Sequence, residues 1–186
     1  MAVIFLNGTT SAGKTSIAKE LQAILPIPHL VYGIDDGFAM LPGRLHNDRD
    51  GFFFDTDPNG AVRLNHGATG MKTLLAHAAA AQAIAEISDI ILDEVVLEDM
   101  LRRDWFDRLQ NIATFWVGVR CGQAELCRRE KARGDRVIGQ ALGQLDLVHR
   151  DMRYDLEVDT TDTPPTQAAE QIAAAYFGWR KGQSLS

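Results

Sequence analysis

One segment near the start of the chain combines glycine, lysine and threonine at a spacing suited to holding phosphate. Residues 8–15 read GTTSAGKT and match the pattern GxxxxGK[ST] in full. Glycines let the backbone curl so that its N–H groups point at phosphate oxygens, while Lys14 neutralises the β and γ phosphates and the Thr15 hydroxyl can ligate Mg²⁺. The segment predicts a nucleotide site formed by Gly8, Thr9, Thr10, Ser11, Ala12, Gly13, Lys14, Thr15 and Ser16.

The surroundings of this loop support the prediction. Residues 2–7 are a short apolar run that predicts a buried strand, and residues 14–25 have a helical pattern. Phosphate binding requires this order of strand, loop and helix. The alternative is a glycine-rich turn that only links the two elements.

Carboxylates follow two further predicted strands. Asp93 comes late in the apolar segment 89–96, where it could hold Mg²⁺ beside the phosphate loop, the alternative being a helix cap or a solvated turn. Asp35 and Asp36 close the predicted strand 29–34. We expect Asp35 to accept the proton of an attacking hydroxyl, with Asp36 as the second candidate and a helix N-cap as the structural alternative.

Arginines are concentrated in residues 128–141, where we expect a lid over the phosphates. Arg133 and Arg136 are predicted to act in catalysis, and Arg129 to bind the nucleotide. An arginine fork matches phosphate oxygens bidentately, although a basic run is also typical of a solvated helix face. The five histidines lack metal-ligand spacing, and we assign them no chemistry.

Strands and helices alternate along the chain. Short apolar runs predict strands at 29–34, 89–96, 113–119 and 154–158, and helices are predicted at 69–87, 98–109, 123–132 and 166–176. This alternation indicates an α/β fold with a parallel sheet covered on both faces. Residues 42–66 are predicted to be an irregular segment that faces the substrate, and the tail 178–186 to be frayed.

Composition limits the function classes. A length of 186 residues with 46% hydrophobic residues predicts one domain, residues 1–186, with a full core. The formal charge of −6 argues against a nucleic-acid partner. No apolar run reaches the roughly 20 residues of a membrane span, and the first residues do not resemble a signal peptide. We therefore expect a cytoplasmic protein with no membrane partner.

Together these motifs resemble one family, the chloramphenicol phosphotransferases. The resemblance is carried by FLNGTTSAGKTSI, YGIDDGFAMLP, IILDEV, WVGVRC, REKARGDRV and YDLEVDTT, in the family's order and approximate spacing. It implies a P-loop kinase-like three-layer sandwich with a five-stranded parallel sheet and a helical lid. It also implies ATP with Mg²⁺ as the donor and a primary hydroxyl as the acceptor.

The resemblance assigns roles to individual residues as well. It implies that Asp35 is the catalytic aspartate, that Lys14 and Thr15 belong to the phosphate loop, and that Arg133 and Arg136 are lid arginines. Thr160 and Thr161 lie where such kinases contact the adenine. Residues 42–71 depart from the family pattern, so the resemblance does not identify the acceptor.

The acceptor region is rich in apolar side chains. Phe38, Met40, Leu41 and residues 52–54 would suit an uncharged aromatic acceptor, although plain core packing is the alternative. We therefore expect an ATP-dependent O-phosphotransferase acting on chloramphenicol or a similar small hydroxylated molecule.

Two other functions are compatible with the sequence. One is a kinase of a housekeeping metabolite or nucleotide, in which Arg44, Arg49 and Arg63 bind an anionic acceptor. The other is a regulatory protein that binds ATP with little turnover. The sequence leaves the oligomeric state open.

Overall fold

Five parallel strands form the central sheet of the computed structural model, which describes residues 1–133 and 137–183. They are β1 (Ala2–Asn7), β2 (Leu30–Gly33), β5 (Ile90–Glu94), β6 (Ala113–Arg120) and β7 (Leu156–Asp159). Their order across the sheet is β2-β5-β1-β6-β7, with every neighbouring pair parallel. The predicted five-stranded parallel sheet is confirmed.

Helices cover both faces of this sheet. They are α1 (Lys14–Ile24), α2 (Ile34–Ala39), α3 (Ala68–Ala85), α4 (Asp99–Leu109), α5 (Gln123–Arg133), α6 (Gln140–Gln144) and α7 (Pro165–Gln183). Because side chains alternate along a strand, β1 sends Ile4 and Leu6 into the core under α1 and α7 and sends Val3 and Phe5 into the core under α3 and α4. Within the described ranges, no helix has the length and hydropathy of a membrane span.

An antiparallel hairpin occupies part of the region that was predicted to be irregular. A 3-10 helix (Gly43–Leu45) precedes strands β3 (Phe52–Thr56) and β4 (Val62–His66). The Asp57 carboxylate accepts hydrogen bonds from the N–H groups of Asn59 and Ala61, each at 2.9 Å, and so closes the turn. The prediction of an irregular segment over residues 42–66 was wrong for this hairpin.

Helix α7 continues further than the sequence predicts. Its last turns lie in residues 178–183, which were expected to be frayed. The rings of Tyr176 and Trp179 stack with centroids 5.9 Å apart, and Trp179 also contacts Phe115 at 5.4 Å. This packing extends the helix beyond the glycine at position 178.

Buried Asn7, the last residue of β1, ties the start of the phosphate loop to two other segments. Its Nδ2 donates to the Val148 carbonyl at 2.7 Å and to the Tyr154 hydroxyl at 2.8 Å, while its Oδ1 accepts from the Val96 N–H at 3.0 Å. The Tyr154 hydroxyl in turn lies 2.8 Å from Nδ1 of His149. Burial of His149 in this network disfavours its protonated form.

We expect His149 to make folding stability depend on pH. Burial and nearby Arg120 lower the pKa of His149 to about 4 from 6.5. Between these values the unfolded chain binds a proton that the folded chain does not, so the free energy of unfolding should fall on acidification, by up to about 1 kcal/mol per pH unit.

Urea unfolding between pH 7.5 and 4 would measure this slope. His149→Gln should flatten it, whereas His46→Gln, at an exposed residue, should leave it unchanged. An unchanged slope in His149→Gln would show that His149 does not cause the pH dependence of stability.

Helix α6 packs closely against the β3–β4 hairpin. The Val62 N–H donates to the Gly139 carbonyl at 2.9 Å, and a Cβ placed on Gly143 would overlap the carbonyl oxygen of Val62. This contact requires glycine because neither backbone can yield easily.

Gly143→Ala should therefore lower the free energy of unfolding by roughly 1–3 kcal/mol through overpacking. Gly178→Ala is the matched control, since a Cβ there meets nothing within 4 Å. In the middle of a helix it should raise stability by up to about 1 kcal/mol. Chemical denaturation would compare the two, and equal stabilisation would refute the close packing of α6.

Candidate active site

The phosphate loop curls because two of its residues adopt left-handed backbone conformations. Ser11 has a φ of 62° and Gly13 a φ of 92°. Helix α1 then begins at Lys14 with no side-chain cap and no acidic residue in its first turn. Its first N–H groups are thus left for an anion, which the positive end of the helix dipole also favours.

Asp93 holds the two functional side chains that end this loop. Its Oδ2 accepts from the Thr15 hydroxyl at 2.6 Å, and its Oδ1 lies 3.6 Å from Nζ of Lys14. Lys14, which is 5% exposed, also donates to the Thr9 carbonyl at 2.9 Å. A buried ammonium needs such partners, and these contacts hold Lys14 at the loop.

The residues present fit a Mg²⁺-bound nucleotide. Thr15 and Asp93 bring a hydroxyl and a carboxylate oxygen together, and Mg²⁺ usually takes only one or two protein oxygens plus phosphates and water. A cage of three or more His, Cys, Asp or Glu side chains is absent from the described part of the chain. In that part the buried hydroxyl of Ser11 has no hydrogen-bond partner, so it is available to a phosphate oxygen.

Side chains from α5 and from the residue after β7 support the backbone of the phosphate loop. The Thr160 hydroxyl donates to the Ala12 carbonyl at 2.8 Å, and Nη2 of Arg129 donates to the Thr160 carbonyl at 2.5 Å. Arg129 also donates to Glu125, whose pKa falls to about 2 because Arg128 and Arg129 both hydrogen-bond to it. Both Arg129 and Thr160 are therefore placed to hold the loop's backbone.

Thr161 lies in the turn that follows β7. Its hydroxyl donates to the Asp159 carboxylate at 2.5 Å and accepts from the Gly122 N–H at 2.8 Å. Nucleotide contact by Arg129, Thr160 and Thr161 stays a prediction.

A cavity of about 360 Å³ opens at the carboxyl ends of the strands. Among the predicted site residues, those that line it are Thr10, Ser11, Gly13, Lys14, Thr15, Ser16, Asp35, Asp93 and Arg133. Gly8, Thr9, Ala12, Arg129, Thr160 and Thr161 are not among its lining residues. Arg136 lies outside the described residues.

The two candidate bases have different surroundings. Strand β2 ends at Gly33, so Asp35 and Asp36 lie in the first turn of α2 and not on the strand as predicted. Both carboxylates border the cavity. The Asp36 carboxylate also accepts a hydrogen bond from the Gly33 N–H at 2.8 Å. Asp36 therefore acts as a cap of α2, and the role of Asp35 as the base stays a prediction.

The sheet order sets the distance between the phosphate loop and Asp35. The loop follows β1 and Asp35 follows β2, with β5 and its Asp93 between them. Two strand spacings amount to roughly 10 Å. That gap leaves room for a phosphoryl group and an attacking hydroxyl.

The wall of the cavity near Asp35 is mostly apolar. Phe38 and Phe52 pack edge to face with centroids 4.6 Å apart, and the other apolar lining residues are Val31, Ile34, Leu64, Leu74, Val95, Leu97 and Leu101. Phe53 lies instead under the guanidinium of Arg49, 4.3 Å from the ring centroid. Of the predicted lining, Phe38 and Phe52 contribute here, while Met40 is 59% exposed.

Sequence reasoning missed a polar pair in this wall. Nε2 of His66 donates to Oε1 of Glu98 at 2.7 Å, and both side chains line the cavity. The histidines were set aside for lacking metal spacing. One signal was available in the sequence. Val62, Leu64 and His66 are spaced two residues apart, which in a strand places His66 on the same face as two apolar side chains.

A second histidine–glutamate pair is buried and structural. Glu94 extends from β5 away from Asp93, and its Oε1 accepts from Nε2 of His77 at 2.7 Å. Burial raises the pKa of Glu94, and the bond from His77 opposes that rise. The His77 ring backs α2, since a Cβ on Gly37 would lie 2.9 Å from it. This pair thus supports the helix that carries Asp35.

Helix α6 connects α5 to the phosphate loop. Oε1 of Gln144 accepts from the Thr10 N–H at 2.7 Å. Buried Glu130 of α5 accepts from the N–H groups of Gly139 at 2.6 Å and Ala141 at 2.8 Å, which fixes the start of α6.

Glu130→Gln should lower the free energy of unfolding by roughly 1–3 kcal/mol, because an amide cannot accept both bonds and leaves a buried N–H unpaired. Glu170→Gln, at an exposed position of α7, is the matched control and should change stability by less than about 0.5 kcal/mol. Denaturant unfolding would compare them. Equal stability of the two variants would show that Glu130 does not fix α6.

Solved structures with the same fold include P-loop kinases. The structure of the Mycobacterium tuberculosis APS kinase CysC in complex with AMPPNP and APS has a TM-score of 0.67 at 15% identity, covering 95% of this chain and 97% of that one. A gluconokinase from Sinorhizobium meliloti 1021 has a TM-score of 0.65 at 14% identity, covering 99% and 96%. The molecule thus has a P-loop kinase fold.

Sequence comparison identifies the family. The model for "Chloramphenicol phosphotransferase-like protein" matches residues 1–177. The chain is also 30% identical over 184 residues to "Putative O-phosphotransferase Rv2636" of Mycobacterium tuberculosis (strain ATCC 25618 / H37Rv), covering 94% of this chain and 81% of the relative. The chain belongs to the chloramphenicol phosphotransferase-like family, which confirms the resemblance seen in its motifs.

Proposed function

We propose that this phosphotransferase moves the γ-phosphate of ATP to a hydroxyl of chloramphenicol or a similar small molecule, with Mg²⁺ as the metal. The observation that carries the proposal is the shared cavity, which joins Lys14, Thr15 and Asp93 to Asp35 and an apolar wall. The family match and the APS kinase complex with AMPPNP support it. We expect the reaction in the cytoplasm, and phosphorylation of the antibiotic would confer resistance.

In this reaction the acceptor oxygen bonds to the γ-phosphorus as the bond to the leaving ADP oxygen breaks. Asp35 takes the hydroxyl proton. Lys14 and Arg133 offset the charge on the transferring group, and the predicted role of Arg136 is the same. Thr15 and Asp93 would hold Mg²⁺, which when bound neutralises charge on the β and γ phosphates.

The cavity favours an uncharged acceptor over an anionic one. Arg44, Arg49 and Arg63, which an anionic acceptor would need, are not among the residues that line it. Arg49 pairs with Asp55 at 3.8 Å and covers Phe53 on the other side of the hairpin. This geometry counts against the kinase of an anionic metabolite or nucleotide.

The direct test is ATP consumption by the purified protein with Mg²⁺, with and without chloramphenicol. The proposal predicts acceptor-stimulated ADP formation and a phosphate adduct of about 80 Da on the drug by mass spectrometry. Tight ATP binding without an adduct would exclude chloramphenicol as acceptor, and a panel of small hydroxylated molecules would then be assayed. Slow hydrolysis that no acceptor stimulates would instead indicate an ATP-binding regulatory protein.

Neutralising the two adjacent aspartates should separate their roles. Asp35→Asn should lower kcat by about 10²- to 10⁴-fold with little change in ATP affinity, because only proton transfer is lost. Asp36→Asn should keep kcat within a few-fold and lower stability by about 1 kcal/mol through the weakened cap. Steady-state kinetics and calorimetry measure both. Full activity of Asp35→Asn would eliminate it as the base.

A further inference from the structure

The His66–Glu98 pair forms a polar spot in an otherwise apolar part of the cavity wall. His66 ends β4, and Glu98 lies just before α4, so the pair joins the hairpin to the main fold. The two residues are 32 positions apart in sequence. Their side chains are 18% and 44% exposed, respectively, which leaves the carboxylate accessible from the cavity.

Helix capping does not account for the position of this carboxylate. Glu98 is the N-cap residue of α4, yet its side chain makes no capping hydrogen bond. Short side chains such as Asp and Ser are preferred at N-caps because they reach the helix N–H groups. The Glu98 carboxylate is instead held by Nε2 of His66.

The surroundings of the pair strengthen any hydrogen bond made there. The Phe52 ring lies edge-on to His66 with centroids 6.5 Å apart, and Leu97 and Leu101 border the same cavity. An acceptor whose body covers this apolar wall would displace water from the half-exposed carboxylate, so a hydrogen bond to Glu98 would then be stronger than in water.

Charged side chains of both signs line the cavity. Asp35, Asp36 and Glu98 are among its lining residues, and the lysine and arginine side chains that line it in the described part of the chain are Lys14 and Arg133. An anionic group that reached Glu98 would be repelled by its carboxylate, while an ammonium, amide or hydroxyl group can donate to it.

We propose that Glu98, positioned by His66, determines acceptor specificity by receiving a hydrogen bond from an N–H, ammonium or second O–H group of the acceptor. This inference rests on the proposed function, since it places a hydroxyl acceptor in the same cavity. The acceptor class is an amphiphilic alcohol that is neutral or cationic, with an aromatic or aliphatic body against the apolar wall.

A matched series of ligands tests this assignment. The probes are 2-amino-1-phenylpropane-1,3-diol, its N-acetyl amide and its N-succinyl derivative, which are cationic, neutral and anionic on one scaffold. Calorimetric titration of the full chain without nucleotide gives their affinities. The cationic and neutral probes should bind at least tenfold more tightly than the anionic one, as one charge-assisted hydrogen bond provides.

Glu98→Gln should reduce the ratio between cationic and anionic affinities by about tenfold. Glu86→Gln removes the same charge from an exposed residue at the end of α3 and should leave the ratio unchanged. His66→Leu, which removes the donor that orients Glu98, is the second variant and should also reduce the ratio. A purely structural role for the pair would lower all three affinities together.

The proposal is overturned if none of the probes binds, if the anionic probe binds equally well, or if Glu98→Gln and His66→Leu retain the ratio. This outcome can be distinguished from failure of the proposed function, because the probe affinities are measured without ATP and without turnover. Ligands bound with the expected ratio but never phosphorylated would contradict the transfer reaction alone.

Discussion

The contact of Asp93 with Lys14 and Thr15 is the interaction on which the rest of the site depends. Lys14 is a buried cation, and it is stable there because a carboxylate from the neighbouring strand and the Thr9 carbonyl surround it. The parallel register of β1 with β5, in which Leu6 pairs with Asp93, brings that carboxylate to the loop. Phosphate and metal binding at this site would both depend on the position of Asp93.

Support for the two ends of the cavity comes from different parts of the chain, and α6 joins them. Gln144 holds the Thr10 N–H of the phosphate loop, and Gly139 accepts from Val62 of the hairpin. Glu130 of α5 fixes the start of α6. The hairpin and the phosphate loop therefore both contact one short helix and its N-cap residue.

Local patterns predicted that Asp93 lies beside Lys14 and Thr15. The glycines of GTTSAGKT indicate a tight loop, and Asp93 comes late in an apolar run, which the structure shows to be the strand next to β1. The part of the cavity lined by α2 and the hairpin depends on contacts between residues that are distant in sequence. Only the folded chain shows that Asp36 caps α2, that the hairpin seats Phe52 beside Phe38, and that His66 meets Glu98 across 32 residues.

The most direct test of the central claim is the affinity for ATP with and without Mg²⁺, by calorimetry on the wild type, Thr15→Val and Thr15→Ser. If Thr15 and Asp93 form a Mg²⁺-nucleotide site, Mg²⁺ should strengthen ATP binding by about tenfold or more in the wild type and in Thr15→Ser, which keeps the hydroxyl. The effect should be lost in Thr15→Val. Absence of ATP binding, or a Mg²⁺ effect that persists without the hydroxyl, would contradict the account.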